Sequence, residues 1–332
     1  MLLRGAYYKI LTLITITIFT AACDIDNKRD NKDIDPDNES VAIVDNESEA
    51  EVAKSANIVE NYTKPSTTKS RCAAPSEAWL ELPAERTDGR YPHAAEYKIM
   101  ANGERNYTHY YDAESYTSLW VAYPIEAKHM GTFKRPGSWS FNPLIDRDEQ
   151  VNLCSRSYND DYARGHLIPN ASRNGNIEMQ LQTFYVTNSV PQVQDGFNGG
   201  IWKNLESAIQ DMAEQEIVYV VSGVAFAKEG EKRTIAYTKA KNDDKKVPIP
   251  NYFYKVVLKV DSDSHGNIVD ASTIGFWFEN RSYSGSYTNH TVTVDQVEVW
   301  TGFDYFANLP DDIEQRVERN ASWSSFVEFY SK

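Results

Sequence analysis

Cysteine is scarce in this chain: three residues in 332, and no two in C-x-x-C spacing. A disulfide-scaffolded fold and a C-x-x-C motif are therefore excluded. Past the N-terminus, no apolar run reaches the length that a membrane-spanning helix needs. Basic residues are also in short supply, with 34 Lys and Arg against 48 Asp and Glu, a net charge of -14. Coating nucleic acid non-specifically requires a basic face, so this balance argues against it. It leaves open an enzyme that holds one or two phosphates with a metal and a few cationic side chains. Net charge bears on solubility and steering, not on fold. What the chain does have is apolar material, 41% hydrophobic and 12% aromatic. That is enough for a sizeable core in one large domain or two small ones.

The N-terminus reads as an export signal over residues 1–22. Arg4 and Lys9 supply the positive start, Ile10 to Thr20 the short apolar core, and Ala21-Ala22-Cys23 the small-residue end. A cysteine directly after two alanines predicts a lipoprotein, lipidated at Cys23 and held to a membrane there. Thr20 is unusual in that motif, and ordinary cleavage would instead give a periplasmic or extracellular protein. Residues 23–77 read as an acidic, disordered tether. Residues 24–70 hold 12 acidic and 6 basic side chains and almost no aromatics, too little apolar surface to offset the entropy of ordering.

From Ala78 the texture becomes globular, and a single domain is expected over 78–332. Buried strands are expected at Leu119–Tyr123, Phe184–Thr187, Ile217–Val221, Tyr252–Val260 and Thr273–Phe278. A helix is expected from Asn198 to Met212, with Ile201, Leu205, Ile209 and Met212 on one face. A short C-terminal helix follows Pro310. Strands and helices do not alternate regularly, which favours an α+β fold. Cys72 and Cys154 could pair in an exported protein, but sequence leaves this open.

Chemistry concentrates in two stretches. Arg164-Gly165-His166 stands at the expected end of a strand. Histidine has the pKa a base needs, arginine can fork onto a phosphate, and glycine permits close backbone approach. Alone this triplet says little. It is followed by Tyr185-Val186-Thr187-Asn188-Ser189-Val190-Pro191-Gln192 and then Phe197-Asn198-Gly199-Gly200-Ile201-Trp202-Lys203-Asn204-Leu205-Glu206. Positions 198, 202 and 206 step by four, so Asn198 and Glu206 share one side of a helix. An asparagine oxygen suits Mg²⁺, which keeps several of its waters.

These three segments in this order resemble the DNA/RNA non-specific endonuclease family. The resemblance extends to Leu119–Tyr123, to Val247–Leu258 and to Leu309–Glu314, and so covers roughly residues 78–330. It implies a ββα-metal nuclease fold with a central antiparallel-rich sheet flanked by helices. It implies His166 as general base, Asn198 as direct metal ligand and Glu206 as holder of metal-bound water. Asn188 would orient the histidine or contact phosphate, and Arg164 would position substrate. Arg135 is a looser match for an arginine that stabilises the pentavalent phosphate. The cofactor implied is Mg²⁺, with Mn²⁺ or another divalent cation as a substitute. The partners implied are DNA and RNA as substrates and a second copy of the chain as a dimer. One departure stands out: the family pattern has Asp before Arg-Gly-His, and this chain has Ala163.

The activity implied is metal-dependent hydrolysis of DNA and RNA to 5′-phosphate ends, without sequence readout, because only backbone groups need be touched. Two other readings remain. One is a surface lipoprotein that binds nucleic acid or another ligand without cutting. The other is a narrower phosphodiesterase acting on RNA or short oligonucleotides.

Overall fold

Asn102-Gly103 sets the first hairpin. Both residues have positive φ (50° and 83°), as a two-residue turn matched to strand twist requires. This turn joins β3 (Ala94–Ala101) to β4 (Glu104–Asp112). The computed structural model describes residues 72–160 and 162–330. The export signal, Cys23 and most of the acidic tether lie outside the described residues. Ahead of the hairpin, β1 (Cys72–Ala73) pairs with β2 (Glu85–Arg86), so the described fold begins before Ala78.

β3 and β4 continue into β5 (Thr117–Ile125). The chain then leaves the sheet. The excursion carries β6 (Tyr162–His166), α1 (Ile177–Gln182), β7 (Ser189–Val193) and α2 (Lys203–Ala213). It returns as β8 (Val218–Ala225), which pairs with β5. A small hairpin follows, β9 (Tyr237–Lys239) with β10 (Lys246–Pro248). Then come β11 (Tyr252–Ser262), β12 (Ile268–Glu279) and β13 (Thr291–Val292). The seven-stranded sheet runs β13-β12-β11-β8-β5-β4-β3 and is antiparallel throughout. β6 and β7 form a separate antiparallel pair. Three helices end the chain: α3 (Val294–Thr301), α4 (Asp311–Val317) and α5 (Trp323–Glu328). This is the antiparallel-rich α+β arrangement expected from the sequence.

Strand alternation divides β11 between two cores. Phe253 and Val257 join Val121, Tyr123, Val220 and the α2 residues Leu205 and Ile209. Tyr254, Val256 and Leu258 join Val294, Val297, Phe303 and Tyr305 on the other face. The sheet is therefore a middle layer. The β6–β7 unit and α2 cover one face; α3 and α4 cover the other. Burying each of these large side chains contributes about 1.5–3 kcal/mol, offset mainly by ordering entropy.

Two expectations are corrected. Phe184–Thr187 is not a strand: Val186–Asn188 is a single 3₁₀ turn, and the strand is Ser189–Val193. The regular helix does not begin at Asn198. Gln194–Trp202 is a wide, kinked segment, and α2 starts at Lys203. The kink needs glycine at 196, where φ is 71° and a Cβ would lie 2.2 Å from Ser282 Oγ.

Candidate active site

The β6–β7 pair positions the Arg-Gly-His triplet. Its register sets Ala163 opposite Gln192, Gly165 opposite Val190 and His166 opposite Ser189. Gly165 is required by packing, since a Cβ there would lie 2.6 Å from Gln192 Cβ. Just past the histidine, Leu167 N donates to Asn188 O at 3.2 Å. The Asn188 side chain completes this staple. Its Oδ1 accepts from Ile168 N at 3.0 Å, and its Nδ2 donates to Ile168 O at 3.0 Å and Thr183 O at 2.8 Å. With both amide hydrogens used and the residue fully buried, Asn188 cannot reach a phosphate. The phosphate-contact expectation for Asn188 is corrected accordingly: it fixes the backbone that follows His166.

A buried polar chain holds the Asn188 turn to the sheet. Ser118 Oγ donates to Thr187 O at 2.7 Å, and His109 Nδ1 lies 2.8 Å from Ser118 Oγ. Asn142 Nδ2 lies 3.2 Å from His109 Nε2. Because Ser118 spends its proton on Thr187, His109 must donate through Nδ1 and accept through Nε2. Burial pushes its pKa down to about 3, so it stays neutral. Ser118, His109 and Asn142 stand in line, yet all three are buried and closed to substrate.

His166 lies between two aromatic rings. Trp139 is 4.6 Å from it and Phe184 5.0 Å, centroid to centroid. Each ring carries an arginine: Arg164 lies 5.3 Å over Trp139 and Arg135 4.9 Å over Phe184. Arg164 Nη1 also donates to Leu153 O at 3.0 Å. Both arginines named from sequence thus gather at the histidine. Burial, then Arg135, then Arg164 hold the His166 pKa well below its ordinary 6.5. Its Nε2 is enclosed and makes no hydrogen bond. A depressed histidine pKa stabilises the fold above pH 6.5, and that contribution is lost as pH falls toward the folded value.

Asn198 sits in the kinked segment. Its Nδ2 donates to Gln194 Oε1 at 2.9 Å, which turns Oδ1 the other way, available to a hard cation. Glu206, in α2, is 14% exposed and its Oε1 lies 3.5 Å from Lys255 Nζ. An amide oxygen on the kinked segment and a carboxylate in α2 are ligand types that suit Mg²⁺, which leaves most of its positions to water and phosphate.

Sequence reasoning missed Lys255, a charged residue in the expected strand Tyr252–Val260. It also missed the consequence of Ala163. Gln192, opposite it, is fully buried and neither of its amide atoms has a hydrogen-bond partner. A different carboxylate group lies on the other sheet face, where oxygens of Asp295, Glu298 and Glu318 come within 4.8 Å of one another. Cys72 is a free thiol whose pKa burial raises to about 11, so the Cys72–Cys154 pairing is not formed.

The family model described as DNA/RNA non-specific endonuclease matches residues 95–312. A nuclease from Nostoc is 26% identical over 213 residues, covering 63% of this chain and 73% of that protein. The Serratia marcescens nuclease is 28% identical, covering 59% and 70%. The human mitochondrial nuclease EXOG is 27% identical and covers 64% of this chain but only 59% of its own length. Among solved structures, the EndoG/EndoGI complex contains a chain with a TM-score of 0.53 at 20% identity, covering 65% of this chain and 88% of that one.

Proposed function

Because the chain belongs to the DNA/RNA non-specific endonuclease family, a family of nucleases, we propose that it is a divalent-metal-dependent endonuclease. It hydrolyses phosphodiester bonds in both DNA and RNA and leaves 5′-phosphate ends. The observation that carries this reading is His166, held neutral between Trp139 and Phe184 with the guanidiniums of Arg164 and Arg135 over those rings.

His166 takes a proton from a water molecule, and the oxygen attacks phosphorus. Attack in line with the bond to the 3′ oxygen breaks that bond and leaves the phosphate on the 5′ side. Arg164 and Arg135 bring positive charge to the phosphate as negative charge develops. Asn198 and Glu206 would hold Mg²⁺, or Mn²⁺ in its place. When bound, the cation supplies neutralisation of charge on the phosphate and the leaving oxygen. Export, lipidation at Cys23 and homodimerisation complete the proposal. They rest on the leader sequence and the family resemblance.

The test compares the full chain with His166→Ala on supercoiled plasmid and on RNA, with Mg²⁺ or EDTA. The wild type should cut both and EDTA should stop it. The variant should lose about 10²- to 10⁴-fold in rate, the usual worth of a general base. The acid limb of wild-type kcat/KM should lie below pH 6.5, because His166 stays neutral there. A folded wild type that cuts neither substrate with Mg²⁺ or Mn²⁺ would overturn the proposal in favour of a binding lipoprotein. Cutting of RNA or short oligonucleotides alone would favour the narrower phosphodiesterase.

A further inference from the structure

Lys255 is the least expected charge in the molecule. It lies in the middle of β11 with its side chain fully enclosed. An ammonium taken out of water costs several kcal/mol unless other groups compensate. Three do so here. Ser222 Oγ, on neighbouring β8, accepts from Lys255 Nζ at 3.0 Å. The Trp202 ring lies 4.1 Å from Nζ, and Glu206 Oε1 lies 3.5 Å away. All three touch the one Lys255 nitrogen, and each comes from a different element.

The pair is asymmetric. Lys255 has no exposure, whereas Glu206 keeps 14%. Glu206 Oε1 is covered, and it is the oxygen that faces the lysine. The carboxylate is thus held from below by a cation fixed in the sheet, and its remaining exposure is on the outer side. Trp202 joins the kinked segment to α2, so the same ammonium also touches the element that carries Asn198.

We propose that Lys255 is a positioning residue for the cation site. It fixes the aim of Glu206, so that the carboxylate meets the waters of a divalent cation held by Asn198. This rests on the proposed nuclease reading and adds a residue on β11, outside the motif segments. Groups behind the ligands of a metal site typically change its affinity about 10- to 100-fold when removed.

The experiment measures Mn²⁺ binding to the full chain by titration calorimetry, without substrate. Wild type, Lys255→Met, Glu206→Gln and the double variant are compared, with circular dichroism to confirm folding. The expected result is an affinity loss of about 10- to 100-fold for Lys255→Met. Adding it to Glu206→Gln should produce no further loss, because the lysine acts only through that carboxylate. Unchanged Mn²⁺ affinity in folded Lys255→Met, or losses that simply add, would overturn the proposal and leave the nuclease reading standing. A wild type that binds no Mn²⁺ would overturn both. If Lys255→Met fails to fold, Ser222→Ala takes its place. It loosens Nζ without removing it, so affinity should fall about 2- to 10-fold, in keeping with one charge-assisted hydrogen bond. No change in Ser222→Ala would overturn the proposal.

Discussion

On the face of the sheet that carries α3 and α4, the chain turns by rule. Thr293 Oγ1 accepts from Gln296 N at 3.0 Å to cap α3, and Gly302, at φ 74°, ends it. Aromatic rings then fill the layer, with Phe303 against Tyr91, Tyr110, Trp120 and Tyr305. On the opposite face, α2 grows from a kinked segment with non-helical geometry at Asp195, Gly196 and Gly200. Polar groups are buried there in numbers: Asn188, Gln192, Ser222 and Lys255. The first face buries polar groups too, the carboxylates of Asp295, Glu298 and Glu318, among its packing. The other sets Asn198 in a kinked segment, between a histidine that ends β6 and a glutamate in α2.

Three substitutions would sharpen or break this contrast. The largest effect is expected from Phe303→Ala, which empties the aromatic layer. Stability should fall by about 3–5 kcal/mol in urea unfolding. At a temperature where the variant is folded, kcat should stay at the wild-type value. A fall in kcat there would mean that the two faces are coupled. Next comes Asn188→Ala. It leaves the Ile168 and Thr183 backbone groups without their partner and should cost about 1–3 kcal/mol. Unlike Phe303→Ala, it should also lower kcat, because the staple lies directly behind His166. Loss of stability with kcat intact would place Asn188 with the packing face. The smallest effect is expected from Ala163→Asp. A carboxylate opposite Gln192 gives its amide an acceptor, and stability should rise by about 0.5–1.5 kcal/mol. A lower Tm in that variant would show that the amide does not face position 163.

Several elements were legible because their signals are local. Ile201, Leu205 and Ile209 recur at helical spacing, and all three are buried. The apolar runs at 119–123, 252–260 and 273–278 lie within β5, β11 and β12. Asn102-Gly103 was an equally local signal for the β3–β4 hairpin, and it went unread among polar neighbours. Phe184–Thr187 misled because a buried apolar run looks alike in a strand and a turn. Here the Asn188 side chain takes up the backbone groups of Thr183 and Ile168, and the run closes into a 3₁₀ turn.

For the site, sequence alone named the candidate residues, because ordered motifs of specific residue types survive as text. His166, Asn198 and Glu206 needed no coordinates to be named. What each neighbour does was decided only by tertiary structure. Arg135 reaches the histidine across a ring supplied by residue 184. Of the two roles expected for Asn188, orienting the histidine or contacting phosphate, its hydrogen bonds leave only the first, as a backbone staple. Lys255 meets Glu206 from 49 positions away. The physical reason is range. Backbone propensity and side-chain type act over a few residues. Burial, charge pairing and the pKa of His166 depend on which distant strands the hydrophobic cores bring together.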